Sequence, residues 1–327
     1  SIPLYTGSLE AFRFAYDVVY TNVQASGAYR GYGATQGIFA VESAVSELAD
    51  ILGIDAVKMR EMNMLREGMV MPAYYGEKTN SCALDRCMER CSELFDWDAK
   101  SQVRTMPDGK IRTAGVAMAM QGSSISNVDV GSATVTLGDD GCYTLAIGAA
   151  DMGTGCDTIL SQMVAECMDC DIDDVFVAPV DTDSSPYDSG SYASSTTYVT
   201  GKAVMLACDK LKNQLCEIAG EMLSCPPDEI EFCGSTLKCL SDGSTVTLRD
   251  LSYKAQCNNE IAVRATATHS SPVSPPPFMV GMVEIELDPE TGSVEILDYT
   301  SVVDCGTPIN PNLARIQTEG GLVQGIG

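Results

Sequence analysis

A chain of 327 residues exceeds the roughly 100–200 of one ordinary domain, so two domains or one large α/β unit are expected. Twenty Lys+Arg against 45 Asp+Glu give a formal net charge of −25, which leaves no basic surface to neutralise phosphates and excludes nucleic acid as a partner. No apolar run approaches the ~18 residues that cross a bilayer, so no membrane role is expected, and a hydrophobic fraction of 45%, spread evenly, argues against disorder.

In chain order, Ile38, Val41, Val45, Leu48 and Leu52 recur at spacings of three and four and predict a helix over 36–52. Gly53 stops it, and Asp55 can cap a second short helix ending near Gly68. Residues 69–113 are mixed, with a helix around 83–95 and a turn at Pro107-Asp108-Gly109, and read as a link. From 114 the character changes to strands. Ala133, Val135 and Leu137 alternate with threonines, Asp139-Asp140-Gly141 turns, and Tyr143 to Ile147 returns, which predicts a hairpin. A helix follows Gly155, with Leu160, Met163, Val164 and Cys167 on one face, then a strand from Val175 to Val180 and a Ser/Thr-rich run at 184–200. Val204, Cys208, Leu211, Leu215, Ile218 and Met222 mark the longest amphipathic helix. A second hairpin joins 283–287 to 294–303 through Asp288-Pro289-Glu290-Thr291-Gly292, and a last helix follows Asn310-Pro311. Hairpins interleaved with long helices predict an α+β fold with mixed sheets and packed helices.

The chain opens Ser1-Ile2-Pro3-Leu4-Tyr5, with no initiator Met and no signal-like segment, as the interior of a longer protein would. Fourteen cysteines are scattered through helical and strand-like patterns. Without a signal peptide they read as reduced, small apolar side chains in a cytoplasmic protein, predominantly free. Cys167-Met-Asp-Cys170 is a CxxC without a second pair, so a zinc site is disfavoured. His269, the single histidine, sits beside serines and prolines and reads as an exposed loop residue, which leaves no Ser-His-Asp triad.

Three polar, glycine-rich segments each precede or begin a predicted helix. Gly27-Ala28-Tyr29-Arg30-Gly31-Tyr32-Gly33 places a fixed cation beside a helix start, a seat for an anion. Asp151-Met152-Gly153-Thr154-Gly155 enters its helix with backbone N–H groups expected to point outward, unpaired. Asp188 to Thr197 is dense in hydroxyls and backbone donors, suited to a ligand rich in acceptor oxygens. The GxGxxG and Walker patterns are absent. One helix terminus contributes only ~0.3–1 kcal/mol per anion, so several would have to converge on a phosphorylated cofactor.

These segments in this order, with Gly27 to Gln36, Asp151 to Gly155, Ser191-Tyr192-Ala193-Ser194 through Gly201, and Asp304-Cys305-Gly306 through Gln317-Thr318-Glu319-Gly320-Gly321 to Gly327, resemble the molybdenum hydroxylases. That is the xanthine dehydrogenase and aldehyde oxidase family, and the match is to its molybdopterin-binding large subunit over essentially the whole chain. The resemblance implies the end of a first molybdopterin-binding domain in 1–68, the link at 69–113, and most of a second such domain in 114–327. It implies hydroxylation of a purine or related N-heterocycle with water-derived oxygen. An aldehyde-oxidising member, or a non-catalytic cofactor-binding or scaffold module, is the alternative.

Residue by residue, the resemblance places Arg30, Gly153, Thr154, Gly155, Ala193, Ser194, Ser195, Thr196, Thr197 and Gln317 at the cofactor, with Tyr32 and Ser124 toward substrate and no direct metal ligand. Many relatives carry Gln where Thr154 stands, and some carry Phe-Thr where Ser123-Ser124 stands. Implied cofactors are molybdenum on molybdopterin in a dinucleotide form, with iron–sulfur clusters and FAD on partner subunits or domains. A homodimer of the whole complex is the implied assembly. The family's catalytic glutamate follows its Gln-Gly-Ile-Gly segment, here Gln324 to Gly327, so the catalytic residue is expected beyond Gly327 and this polypeptide by itself is expected to be inactive.

Overall fold

The computed structural model describes residues 3–6, 11, 13, 15–71, 74, 76–258 and 261–327. The principal helices in chain order are α1 (Ala34–Leu52), α2 (Ala56–Asn63), α3 (Leu84–Phe95), α4 (Cys156–Met168), α5 (Thr196–Leu223), α6 (Leu248–Tyr253) and α7 (Pro311–Ile326). The principal strands are β1 (Ile111–Met120), β2 (Val130–Leu137), β3 (Tyr143–Ile147), β4 (Val175–Val177), β5 (Ile230–Cys233), β6 (Thr236–Cys239), β7 (Thr245–Thr247), β8 (Arg264–Ser270), β9 (Phe278–Leu287) and β10 (Val294–Asp304). The fold is α+β with mixed helices and sheets, as the interleaved patterns predict.

Two compact units divide the chain. The first comprises Ser1–Gly122 and Pro276–Gly306, the second Ser123–Pro275 and Thr307–Gly327. This division differs from the expected one at 68 and 113, for a reason sequence-local reading does not see. β9 pairs antiparallel along the full length of β1, from Phe278↔Met120 to Leu287↔Ile111, so residues 276–306 return to the first unit. The segment 69–113 is part of that unit's core rather than a link. In α3, Leu84, Cys87, Met88, Cys91 and Phe95 are buried, in one cluster with Met118, Phe278 and Val280.

In the first unit α1 keeps the first part of its predicted face, with Val41 and Val45 partly buried against the core, and departs from it further along. Its buried positions are Glu42 and Ala49, whereas Leu48 and Leu52 are about half exposed. Asp55 caps α2 as expected, accepting from Val57 N and Lys58 N, but the helix stops at Asn63, short of Gly68.

The second unit is built on a sheet in the order β8-β2-β3-β4, in which only β3 and β4 are parallel. The β2–β3 hairpin holds the predicted register, Ala133↔Ile147 to Leu137↔Tyr143. The β6 strand pairs with β5 and β7 in a small three-stranded sheet. Along α5, Val204, Cys208, Leu211, Leu215 and Ile218 are buried, and they join Leu160 and Val164 of α4 in one core with the inward residues of β2 and β3. Burying each such aliphatic side chain stabilises by about 1.5–3 kcal/mol. His269 is a correction: it lies within β8, paired opposite Gly131, not in an exposed loop. Gly131 has a steric reason, since a Cβ there would stand 2.8 Å from the Thr200 Cα.

Candidate functional site: cofactor-binding loops

In the first unit, Arg30 to Gly33 form the turn into α1. Gly31 and Gly33 hold φ of 77° and 76°, a left-handed backbone that favours glycine. The Gly31 carbonyl accepts from Ala34 N and Thr35 N, which closes the turn. Arg30 is exposed, and Tyr32 leaves 47% of its surface open. No side chain caps α1.

In the second unit, Gly153, Thr154 and Gly155 do not carry the outward, unpaired N–H groups the sequence led us to expect. Asp151 Oδ1 accepts from all three, at 2.8, 3.0 and 3.2 Å. An aspartate two to four residues ahead of those amides closes the loop on itself, an Asx-type turn legible from Asp-x-Gly-x-Gly but not drawn from it. Some loss of hydration opposes ionisation of the exposed Asp151, yet the surrounding backbone N–H groups outweigh this and hold its carboxyl below the usual range. What the loop offers outward is the Gly153 carbonyl, which accepts from Gln317 Nε2 at 3.3 Å. Gln317 is brought there by α7, whose N-terminus Asn310 caps by accepting from Leu313 N. Leu313 packs against Gly155, where a Cβ would meet its Cδ1 at 3.0 Å. Gln317 and the 153–155 loop are thus one assembly.

The hydroxyl-rich run forms a second assembly. Ala193 and Ser194 hold φ of 54° and 57°, a left-handed pair that non-glycine residues adopt only under constraint. The constraint is visible. The Ala193 carbonyl accepts from Ser124 N at 2.9 Å, and Ser124 is itself left-handed at φ 113°. Ser195 turns inward, its hydroxyl donating to the Tyr192 and Gly190 carbonyls, and Thr196 Oγ1 donates to Ser191 Oγ. Ser194 and Thr197 face solvent. No side chain caps the N-terminus of the 28-residue α5. Ser124 is 4% exposed, and its hydroxyl has no hydrogen-bond partner among the described residues. Asp188 was missed as a support: its two oxygens accept from Gly190 N and Thr200 Oγ1 and brace the run against α5.

Residues 90–327 match a family model described as the molybdopterin cofactor-binding domain, and residues 5–64 match another of the same description. The chain belongs to the molybdopterin cofactor-binding family. Among its relatives, a probable hypoxanthine oxidase, XdhD, from Escherichia coli is 31% identical over 100% of this chain and 35% of its own length. A putative xanthine dehydrogenase molybdenum-binding subunit, XdhA, from the same species is 32% identical over 97% of this chain and 43% of its own. The chain therefore spans well under half the length of these relatives. Among solved structures, the CO dehydrogenase from Oligotropha carboxidovorans superposes with a TM-score of 0.78 at 23% identity, over 93% of this chain and 41% of that one. This likeness is one of fold. The resemblance to the molybdopterin-binding large subunit of the molybdenum hydroxylases holds.

The donor chemistry of the second unit fits a phosphorylated pterin at one assembly and not at the other. The α5 N-terminus combines free-end backbone amides with the outward Ser194 and Thr197 hydroxyls, a donor set for acceptor oxygens. The 153–155 loop has its amides engaged by a carboxylate, which would repel a phosphate placed on the same side.

Proposed function

We propose that this chain forms cofactor- and substrate-facing walls of a molybdopterin-binding subunit that hydroxylates a purine or related N-heterocycle with oxygen derived from water. The observation that carries the reading is the constrained Ala193–Ser194 turn, tied to Ser124 and opening onto the uncapped α5 N-terminus. Strained left-handed residues persist where the surroundings over-determine them, characteristically at ligand sites. The names of the relatives at 31% and 32% identity support the purine class. When bound, molybdenum on the pterin, in a dinucleotide form, supplies the redox centre at which the oxygen transfer takes place.

The chain's own residues bind and orient. Ser194, Thr197 and the first α5 amides donate to cofactor phosphate oxygens, while Ser195 and Thr196 hold the turn's shape. Ala193 lines the wall, where a larger side chain would intrude. Gln317 holds the Gly153-Thr154-Gly155 loop in place through the Gly153 carbonyl, and that loop bounds the cofactor by shape rather than by its amides. Arg30 offers a planar fork of donors to an anionic or carbonyl oxygen. Tyr32 offers an exposed ring for stacking on a planar heterocycle, and Ser124, its hydroxyl buried and without a partner among the described residues, backs the substrate wall through its backbone bond to the Ala193 carbonyl. The general base is assigned to none of these residues. Electrons are proposed to leave through iron–sulfur and FAD partner subunits of a cytoplasmic complex, itself a homodimer.

The test is molybdenum content and turnover of the complete assembly on a panel of xanthine, hypoxanthine and aldehydes. Purine turnover with bound molybdopterin is expected. An assembly that carries molybdopterin and oxidises aldehydes alone rejects the substrate class, and one that never acquires molybdopterin rejects the reading.

A further inference from the structure

Where α5 ends, the chain reverses abruptly. Ser224 is left-handed, Cys225 N donates back to the Gly220 carbonyl, and a Cβ on Gly220 would stand 2.7 Å from the Cys225 carbonyl oxygen. Only glycine admits so tight a return. Pro226 and Pro227 then fix the backbone of a single 3-10 turn ending at Glu229. Leu240 N donates to the Glu229 carbonyl, which ties that turn to the end of β6, and Cys239 is held in place by Ser244 and Gly243 through backbone bonds. These constraints bring Cys225 Sγ, Cys239 Sγ and a Glu229 carboxylate oxygen within 4.8 Å of one another. Both cysteines are buried, Glu229 is half-buried, and Ser241 Oγ lies 3.0 Å from Cys239 Sγ.

The two sulfurs are joined as a disulfide in this structure, with Cα atoms 6.3 Å apart. The other twelve cysteines are free, so the thiols are predominantly free as expected and this pair is the exception. A disulfide, however, has no use for a carboxylate at its side. Two sulfurs and one carboxylate, converging from rigid backbone with a hydroxyl beside one sulfur, form a donor set for a borderline-soft divalent ion with tetrahedral preference. We propose that, once reduced, Cys225, Cys239 and Glu229 hold a zinc ion, with water in the fourth position and Ser241 donating to the Cys239 sulfur. A dithiol reductant supplies the two electrons and two protons that convert the S–S bond to two thiols and leaves as its own disulfide, and zinc binding then releases both protons. The site lies between α5 and the β5–β6–β7 sheet and is independent of the cofactor role proposed above.

The experiment uses the folded 327-residue chain, reduced by a phosphine that is then removed. Cobalt(II) should bind one equivalent with a thiolate charge-transfer absorption that zinc displaces. Cys239→Ser should abolish the band, and Cys167→Ser should leave it intact. Glu229→Gln should weaken zinc by roughly tenfold or more while the disulfide still forms on reoxidation. In the unmodified protein, zinc should protect Cys225 and Cys239, but not the exposed Cys233, from alkylation. The proposal is overturned by absence of the band in reduced, folded protein. Survival of the band in Cys239→Ser, or parental zinc affinity in Glu229→Gln, overturns it equally.

Discussion

Arg60 Nε donates to Glu42 Oε2 across 2.8 Å, joining α2 to α1 with both side chains sealed from solvent. Glu42 is saturated further by the Tyr5 hydroxyl and by Met118 N of β1, and Arg60 by the Ala56 and Glu42 carbonyls and Ser46 Oγ. This network explains why a charged residue takes the buried position on α1 while Leu48 and Leu52 do not. Removing one partner leaves a buried, uncompensated charge, which costs about 3–5 kcal/mol.

Arg60→Met should accordingly destabilise the first unit by about that amount, measured by urea unfolding. Lys58→Ala, which breaks the exposed pair with Glu61, should cost no more than ~0.5 kcal/mol. Equal effects from the two variants would mean that the buried pair is not a keystone of α1 and α2.

The Asp151 carboxyl is held below its usual range, so its stabilisation of the 153–155 loop is complete above the unfolded value of ~3.9 and is lost as pH falls through the lower, folded value. Hydrogen exchange of the Gly153, Thr154 and Gly155 amides, corrected for intrinsic rate, should show constant protection between pH 7 and 5. Asp151→Ala should reduce that protection several-fold at every pH in this window.

In the complete assembly, Arg30→Ala should lower molybdopterin occupancy or turnover by roughly ten- to a hundredfold, the worth of a charge-assisted hydrogen bond at ~1.5–3 kcal/mol. Arg104, whose Nη2 pairs with Glu284 across the sheet at 2.5 Å, would be a poor control. The exposed Arg249 serves instead, and Arg249→Ala should be silent. Ser194→Ala should cost ~0.5–1.5 kcal/mol, and Tyr32→Ala should spare occupancy but reduce turnover. Unchanged occupancy and turnover in both Arg30→Ala and Tyr32→Ala would remove these residues from the site.

Among the thiols, a hydrogen bond from Cys208 lowers Cys167 despite burial, with Lys212 assisting, whereas burial pushes Cys170 up to about 11. Mass spectrometry after brief iodoacetamide treatment at pH 7.5 should find Cys167 alkylated ~10-fold or more faster than Cys170. Lys212→Ala should narrow the gap.

Elements whose burial follows one strong period were legible in the sequence. The α5 stripe from Val204 to Ile218 and the β2–β3 register are cases in point, because each side chain's fate is set within its own segment. What escaped depends on distant partners. β8 reads Arg-Ala-Thr-Ala-Thr-His-Ser, too small and polar to announce a strand, and is a strand because β2 lies beside it. The glycine-rich segments could be picked out as polar loops before helices. That Asp151 would consume the amides of one, and that Ser124 would lock the other, are facts of three-dimensional closure. The pairing of Cys225 with Cys239 likewise needs the β5–β6 turn to be folded first.

The β1–β9 pairing also sets an order of events during synthesis. When β1 leaves the ribosome, its partner is still more than 150 residues from being made (Met120 to Phe278). Until then the whole edge of β1 that β9 will cover stays unpaired, a template for mispairing. The sheet of the second unit, by contrast, is complete once β8 has emerged at Ser270. Translation therefore lets the inserted segment build its sheet before the flanking one can close, and a nascent chain stalled between 270 and 278 would carry a formed β8-β2-β3-β4 sheet while β1 still lacks its partner.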